Sequence, residues 1–157
     1  MFQYNYRFCG IIGRKFNPKF LQEYTGMSRK QVIGGPLEIN GRVLSLSRAI
    51  RAGDFVFVTG QVPMRDGKPM TDGGIEEQTR ACIESLQDIL TEAGCELADV
   101  VKSMVWLRRR EDFPGFNAVY AEYFADEPPT RSALISDFLI DILVEIECVA
   151  YRPQASG

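Results

Sequence analysis

No histidine occurs in this chain of 157 residues. Any proton chemistry must therefore fall to Asp, Glu, Cys, Tyr or Lys. Four cysteines are present, Cys9, Cys82, Cys95 and Cys148, but no two form a Cys-x-x-Cys pair. Without histidine, a zinc site would need all four thiolates gathered from scattered positions, so no metal site is expected. Free, buried thiols in a reducing compartment suit the spacing better, and the expected location is the cytoplasm. No stretch approaches the roughly 20 apolar residues that cross a bilayer, so no membrane partner is expected. Positive charge is also short: 18 Lys and Arg against 21 Asp and Glu leave a net charge of -3. A dedicated nucleic-acid surface is usually basic, so no nucleic-acid partner is expected either.

What is present is enough for one domain with a sizeable core: 45% hydrophobic and 25% charged residues. Residues 1–26 differ from the rest, being aromatic-rich and basic, with no acid before Glu23. Met27-Ser28-Arg29-Lys30 then reads like a chain start. The expectation is an N-terminal extension of unknown role over 1–26 and a single domain over 27–157.

From Arg42 the punctuation becomes regular. Arg42–Ile50 alternates like a strand, Ala52-Gly53-Asp54 is a turn, and Phe55–Thr59 is a short aromatic and β-branched run, together a hairpin. A loop with an Asp66-Gly67 turn follows. Ile75, Cys82, Ile83, Leu86, Ile89, Leu90 and Ala93 fall on one face of a helix over 75–93, which Gly94 stops. A strand over 100–107 precedes a second helix over 112–124, with Pro114 in its first turn. Strands over 131–135 and 143–151 close the domain. In the last, Val144, Ile146, Cys148 and Ala150 share one face, and Glu145, Glu147, Val149 and Tyr151 share the other. The order β-β-α-β-α-β-β predicts an α+β fold, one mixed sheet with two helices on one face. The other face then stays open and partly apolar, which predicts an oligomer built sheet to sheet.

Several residues could carry chemistry. Arg131, at a strand start after Pro128-Pro129, reads either as an ion-paired surface arginine or as a bidentate anion clamp. Glu145 and Glu147 read either as a solvated strand face or as carboxylates that orient a water in an intersubunit cleft. Residues i and i+2 of one strand lie roughly 6–7 Å apart, yet cannot flank a substrate from opposite sides, which sets aside a glycosidase. Asn117 could hydrogen-bond a ligand or satisfy a core edge. Thr59 and Gly60 end a strand where glycine permits close backbone approach. Arg108-Arg109-Arg110 reads as a solvated loop, and Cys82 and Cys148 as core thiols.

Four stretches together resemble the Rid family, the reactive intermediate deaminases also called YjgF or endoribonuclease L-PSP. They are Ala52–Gln61, Glu77-Gln78-Thr79-Arg80, Asp112–Phe124, and Pro129-Thr130-Arg131-Ser132 with Val144-Glu145-Ile146-Glu147. The resemblance implies a chorismate-mutase-like fold in a homotrimer with three clefts between subunits. It implies that Arg131 binds a substrate carboxylate and that Glu145 activates a water; Thr59, Gly60, Asn117 and Ala133 are expected to contact the substrate beside them. The implied reaction is hydrolysis of 2-aminoacrylate-like enamines and 2-imino acids to 2-keto acids and ammonia, with no metal and no other cofactor. The implied partners are a small imino or keto acid and further copies of the chain. Two positions depart from the family pattern. Leu46-Ser47 stand near its usual tyrosine, and Ala133 stands where a cysteine is common, so a bulkier or more apolar imino acid is expected. A non-enzymatic ligand-binding or regulatory trimer using the same clefts is the alternative. The older ribonuclease label is the weakest reading, since the chain offers neither a histidine pair nor a basic groove.

Overall fold

The computed structural model of the protein describes residues 30–39 and 42–154. The proposed extension over 1–26 lies outside the described residues. Strands Gln31–Ile39 (β1), Arg42–Ala52 (β2) and Phe55–Gln61 (β3) are followed by a small hairpin, Met64–Arg65 (β4) and Lys68–Pro69 (β5). Helix Ile75–Glu92 (α1), strand Val100–Leu107 (β6), helix Phe113–Tyr123 (α2) and strands Thr130–Ile135 (β7) and Val144–Tyr151 (β8) complete the chain. The six long strands form one sheet in the order β1-β2-β3-β8-β6-β7. Only β6 and β7 run parallel, joined through α2. The sheet is therefore mixed, and the domain is α+β, as the residue pattern predicts.

Two elements depart from that pattern. β1 was not expected, and Gly34-Gly35-Pro36 explains why: the strand loses register with β2 on both sides of Pro36, so alternation is broken in sequence as well as in space. The loop around Asp66-Gly67 is in fact the β4–β5 hairpin. Both turn residues have positive φ, 52° and 72°, as a two-residue reversal with the twist of its strands requires.

The helices cover one face. From β8, Val144, Ile146, Cys148 and Ala150 are buried with Ile83, Leu86 and Leu90 of α1 and Phe116 of α2 in a single core. Cys82, Cys95 and Cys148 are free and buried, as expected of core thiols. α1 ends in a Schellman arrangement: Cys95 N–H donates to Leu90 and Gly94 N–H to Thr91, with Gly94 at φ 70°. The buried Arg51 guanidinium donates to the last helical turn at the Ala93 carbonyl, 2.6 Å away, where the helix dipole favours a cation. Buried Gln78 bridges two loops. Its amide donates to the Asp72 carbonyl (3.1 Å) and its carbonyl accepts from Leu143 N–H (2.8 Å). This fixes the start of β8 just before Glu145.

Among the described residues no helix covers the opposite face. Across it run Phe55 and Phe57 of β3, Val149 and Tyr151 of β8, Met104 and Trp106 of β6 and Leu134 of β7. Phe55 and Tyr151 are cross-strand partners with ring centroids 5.1 Å apart. Phe55, Phe57, Leu134 and Tyr151 are each more than 40% exposed, which leaves an apolar face open to solvent in the single chain.

Candidate functional site

Arg131 is the second residue of β7 and pairs with Ser103 of β6. Ser103 is buried under α2, where its hydroxyl lies 2.7 Å from that of Tyr120. Arg131 therefore stands on the helix-covered side of the sheet, at its edge. Phe113, Phe116 and Tyr120 recur at i, i+3 and i+7 on α2 and so share one helix face. They form an aromatic bed for the guanidinium, whose carbon lies 5.9, 5.2 and 4.6 Å from the three ring centroids. One turn along, Asn117 Oδ1 accepts a hydrogen bond from Arg131 Nη2 at 2.8 Å. No carboxylate is among these partners. The result is a planar cation fixed in direction by rings and an amide, with donor edges left for an anion. Ala133, exposed two residues further along β7, follows on the same side of the strand.

Glu145 sits in β8 opposite Trp106 of β6 and next to β3. β3 bulges between Val58 and Gln61, so Thr59 and Gly60 leave the regular ladder. Gln61 satisfies the carbonyls freed there, its side-chain amide donating to Thr59 (3.0 Å) and Gly60 (3.3 Å). The Glu145 carboxylate lies over Gly60 so closely that a Cβ there would displace it. One built at Gly60 would meet Glu145 Cδ at 3.0 Å and Cγ at 3.3 Å. Glycine at 60 is thus what makes room for the carboxylate. Partial burial pushes the Glu145 carboxyl above its ordinary value, and the negative charge of Glu147 on the same face adds to the shift. Such a group is suited to take a proton.

The chain thus contains two half-sites. Arg131 and Asn117 meet on the helix side at the β7 edge. Thr59, Gly60 and Glu145 meet on the open side. Trp106 pairs with both Glu145 and Leu134, and Arg131 lies three positions before Leu134. An odd offset turns the side chain to the other face, and three residues span roughly 10 Å along a strand. Arg131 and Glu145 of one chain therefore point away from each other, an arrangement the residue pattern alone did not reveal. The aromatic bed was also missed as a functional feature. The sequence shows it only as three aromatics, Phe113, Phe116 and Tyr120, at helical spacing.

The remaining sequence candidates are structural. Arg108 pairs with Asp141, and Arg109 holds Asp112 at 2.8 Å, so the basic run is tied into loops. Among the described residues no cluster of His, Cys, Asp or Glu is placed to hold a metal ion. Among them, too, no helix is long and apolar enough to cross a membrane.

A mixed six-stranded sheet with two helices on one face, an arginine bedded on aromatics and a glutamate over a glycine bulge together define a small α+β domain. Comparison with known proteins names the group. The family profile of endoribonuclease L-PSP matches residues 42–152. The chain belongs to this family, the YjgF or Rid proteins. It is 44% identical over 108 residues to a RutC family protein of Pyrococcus abyssi, covering 68% of this chain and 85% of that one. It is 36% identical over 108 residues to the mitochondrial protein mmf1 of Schizosaccharomyces pombe, covering 66% of each. The crystal structure of yeast Mmf1 superposes with a TM-score of 0.71 at 30% identity, over 78% of this chain and 98% of that one.

Proposed function

We propose that the protein hydrolyses 2-imino acids, and the enamines that tautomerise to them, to 2-keto acids and ammonia in clefts between protomers of a homotrimer. One observation carries the reading: the anion clamp and the raised-pKa carboxylate lie on opposite faces of one sheet. They serve one substrate only if Arg131 of one protomer faces Glu145 of the next. The exposed row of Phe55, Phe57, Leu134 and Tyr151 supports such an assembly, since sheet-to-sheet contact removes it from water.

The chemistry asks little of the protein. The imine carbon is already electrophilic. Arg131 binds the substrate carboxylate bidentately and orients that carbon. Ionised Glu145 accepts a proton from water as its oxygen bonds to the imine carbon. The proton passes to the imine nitrogen, giving an aminoalcohol; Glu145 then relays the hydroxyl proton to the same nitrogen as the C–N bond breaks, so ammonia leaves and the carbonyl of the keto acid forms. Arg131, Asn117, Thr59, Gly60 and Ala133 shape the binding site, and no cofactor enters any step. We assign the activity to the cytoplasm, and fractionation of the native protein tests this against the mitochondrial location of the mmf1 relative.

The test is a coupled assay in which a lyase generates 2-aminoacrylate from serine. The protein should accelerate pyruvate release over buffer, and Arg131→Ala should cut the acceleration about 100-fold or more. Stabilisation by keto acids without turnover would instead identify a ligand-binding trimer.

A further inference from the structure

Tyr120 is tied to Arg131 by two routes. Its ring lies under the guanidinium, whose carbon is 4.6 Å from the ring centroid and nearer to it than to the rings of Phe113 and Phe116. Its hydroxyl lies 2.7 Å from that of Ser103. Ser103 in turn is the β6 residue that pairs with Arg131 of β7. Strand pairing, hydroxyl pair and ring contact therefore close a triangle. The residue that fixes the Arg131 backbone also holds the ring on which its side chain rests. Ser103 and Tyr120 are both buried. A bed of rings alone asks only for phenylalanine, which stands at 113 and 116. A hydroxyl carried this deep costs desolvation unless it is hydrogen-bonded, so Tyr120 and Ser103 act as a pair. The triangle also holds no countercharge. Cys148 of β8 pairs with Ser103 from the other side. Burial pushes the Tyr120 hydroxyl above its ordinary value and the Cys148 thiol up to about 12. Both stay protonated at neutral pH, which leaves the guanidinium charge for an anion.

We propose that the Ser103–Tyr120 hydroxyl pair positions Arg131, holding the Tyr120 ring where it aims the guanidinium at the substrate carboxylate; the inference rests on the reading of Arg131 as the group that binds that carboxylate. Neither hydroxyl touches substrate, so both are positioning residues. With either hydroxyl gone the ring is free to turn, and the guanidinium tilts away from the carboxylate it must grip with both donor edges. Asn117 still holds Nη2, so binding weakens but is not lost.

The test compares the full chain with Tyr120→Phe, Ser103→Ala and the double variant. Tyr120→Phe keeps the ring. The double variant replaces two bonded partners by apolar groups of nearly the same shape, so it folds even where a single change orphans a hydroxyl. Circular dichroism verifies each fold. Two quantities are read. One is KM and kcat for 2-iminobutyrate, released from 2-aminobutyrate by an amino-acid oxidase. The other is the Kd of 2-ketobutyrate by calorimetry. Each single variant should raise KM and Kd about tenfold, the worth of one hydrogen bond, with kcat kept within about threefold. The double variant should bind no more weakly than either single one, because one hydroxyl without the other holds nothing. KM and Kd unmoved in the folded variants, a kcat that falls as far as KM rises, or a double loss equal to the product of the single losses overturns the inference and leaves the deaminase reading standing. The expected pattern in Kd without turnover by the wild type supports the positioning pair and overturns the deaminase reading. A wild type that neither binds 2-ketobutyrate nor turns over overturns both.

Discussion

The two half-sites are built on different principles. Around Arg131 everything is prepared for the charge present: three aromatic faces, an amide oxygen and a strand backbone fix a cation that needs no proton. Around Glu145 the surroundings oppose the charge. The carboxylate is half-buried, rests against a glycine and shares its face with Glu147. The first region positions, and the second holds a group whose protonation is easily changed. A binding group gains from being stable, whereas a base gains from being uncomfortable when ionised.

The largest expected effect falls on the second region. Glu145→Gln should cost about 10²- to 10⁴-fold in kcat/KM, the range for removing a general base. Stability should move the other way. The folded protein holds the Glu145 proton more tightly than the unfolded chain, so raising pH from 4.5 through the elevated value costs stability. Glu145→Gln should therefore match or exceed wild-type Tm at pH 7, and thermal melts from pH 4 to pH 8 check this. The activity of the wild type should rise with pH through a value above 4.5. A profile centred at or below it would remove the contrast between the regions.

Gly60→Ala sharpens the comparison without touching a charge. The added Cβ must push the Glu145 carboxylate aside, and misplacement by an ångström costs about 100-fold in rate. Circular dichroism and kcat together should show a folded, slow enzyme. Arg131→Ala should also lose about 100-fold or more. Arg131→Lys should recover little, because an ammonium offers no planar fork and stacks poorly on the Tyr120 ring. The smallest effect belongs to Asn117→Ala. It leaves the guanidinium on its rings but removes one anchor, so KM should rise about tenfold with kcat nearly kept, the loss of one charged hydrogen bond. Equal losses in kcat and KM would mean that Asn117 acts beyond positioning Arg131.

Much of this was legible in the sequence, and the gaps are instructive. The facing of Glu145 follows from alternation within β8 alone, and the i, i+3, i+7 aromatics of α2 follow from helical periodicity. Both are local. Which face Arg131 takes is not local. It depends on β7 pairing in parallel with β6 so that Arg131 meets Ser103, a register set across two strands and a helix. The separation of Arg131 and Glu145 was therefore invisible from residues. So was β1, whose Gly34-Gly35-Pro36 interruption hides its alternation behind two register shifts.

The most direct measurement is complementation between two crippled variants. Arg131→Ala and Glu145→Gln protomers, unfolded together and co-refolded, should regain activity, because under random assortment in a closed ring about a quarter of the clefts receive an intact arginine from one chain and an intact glutamate from its neighbour. A co-refolded mixture that assembles fully yet stays as inactive as either parent would contradict the shared site.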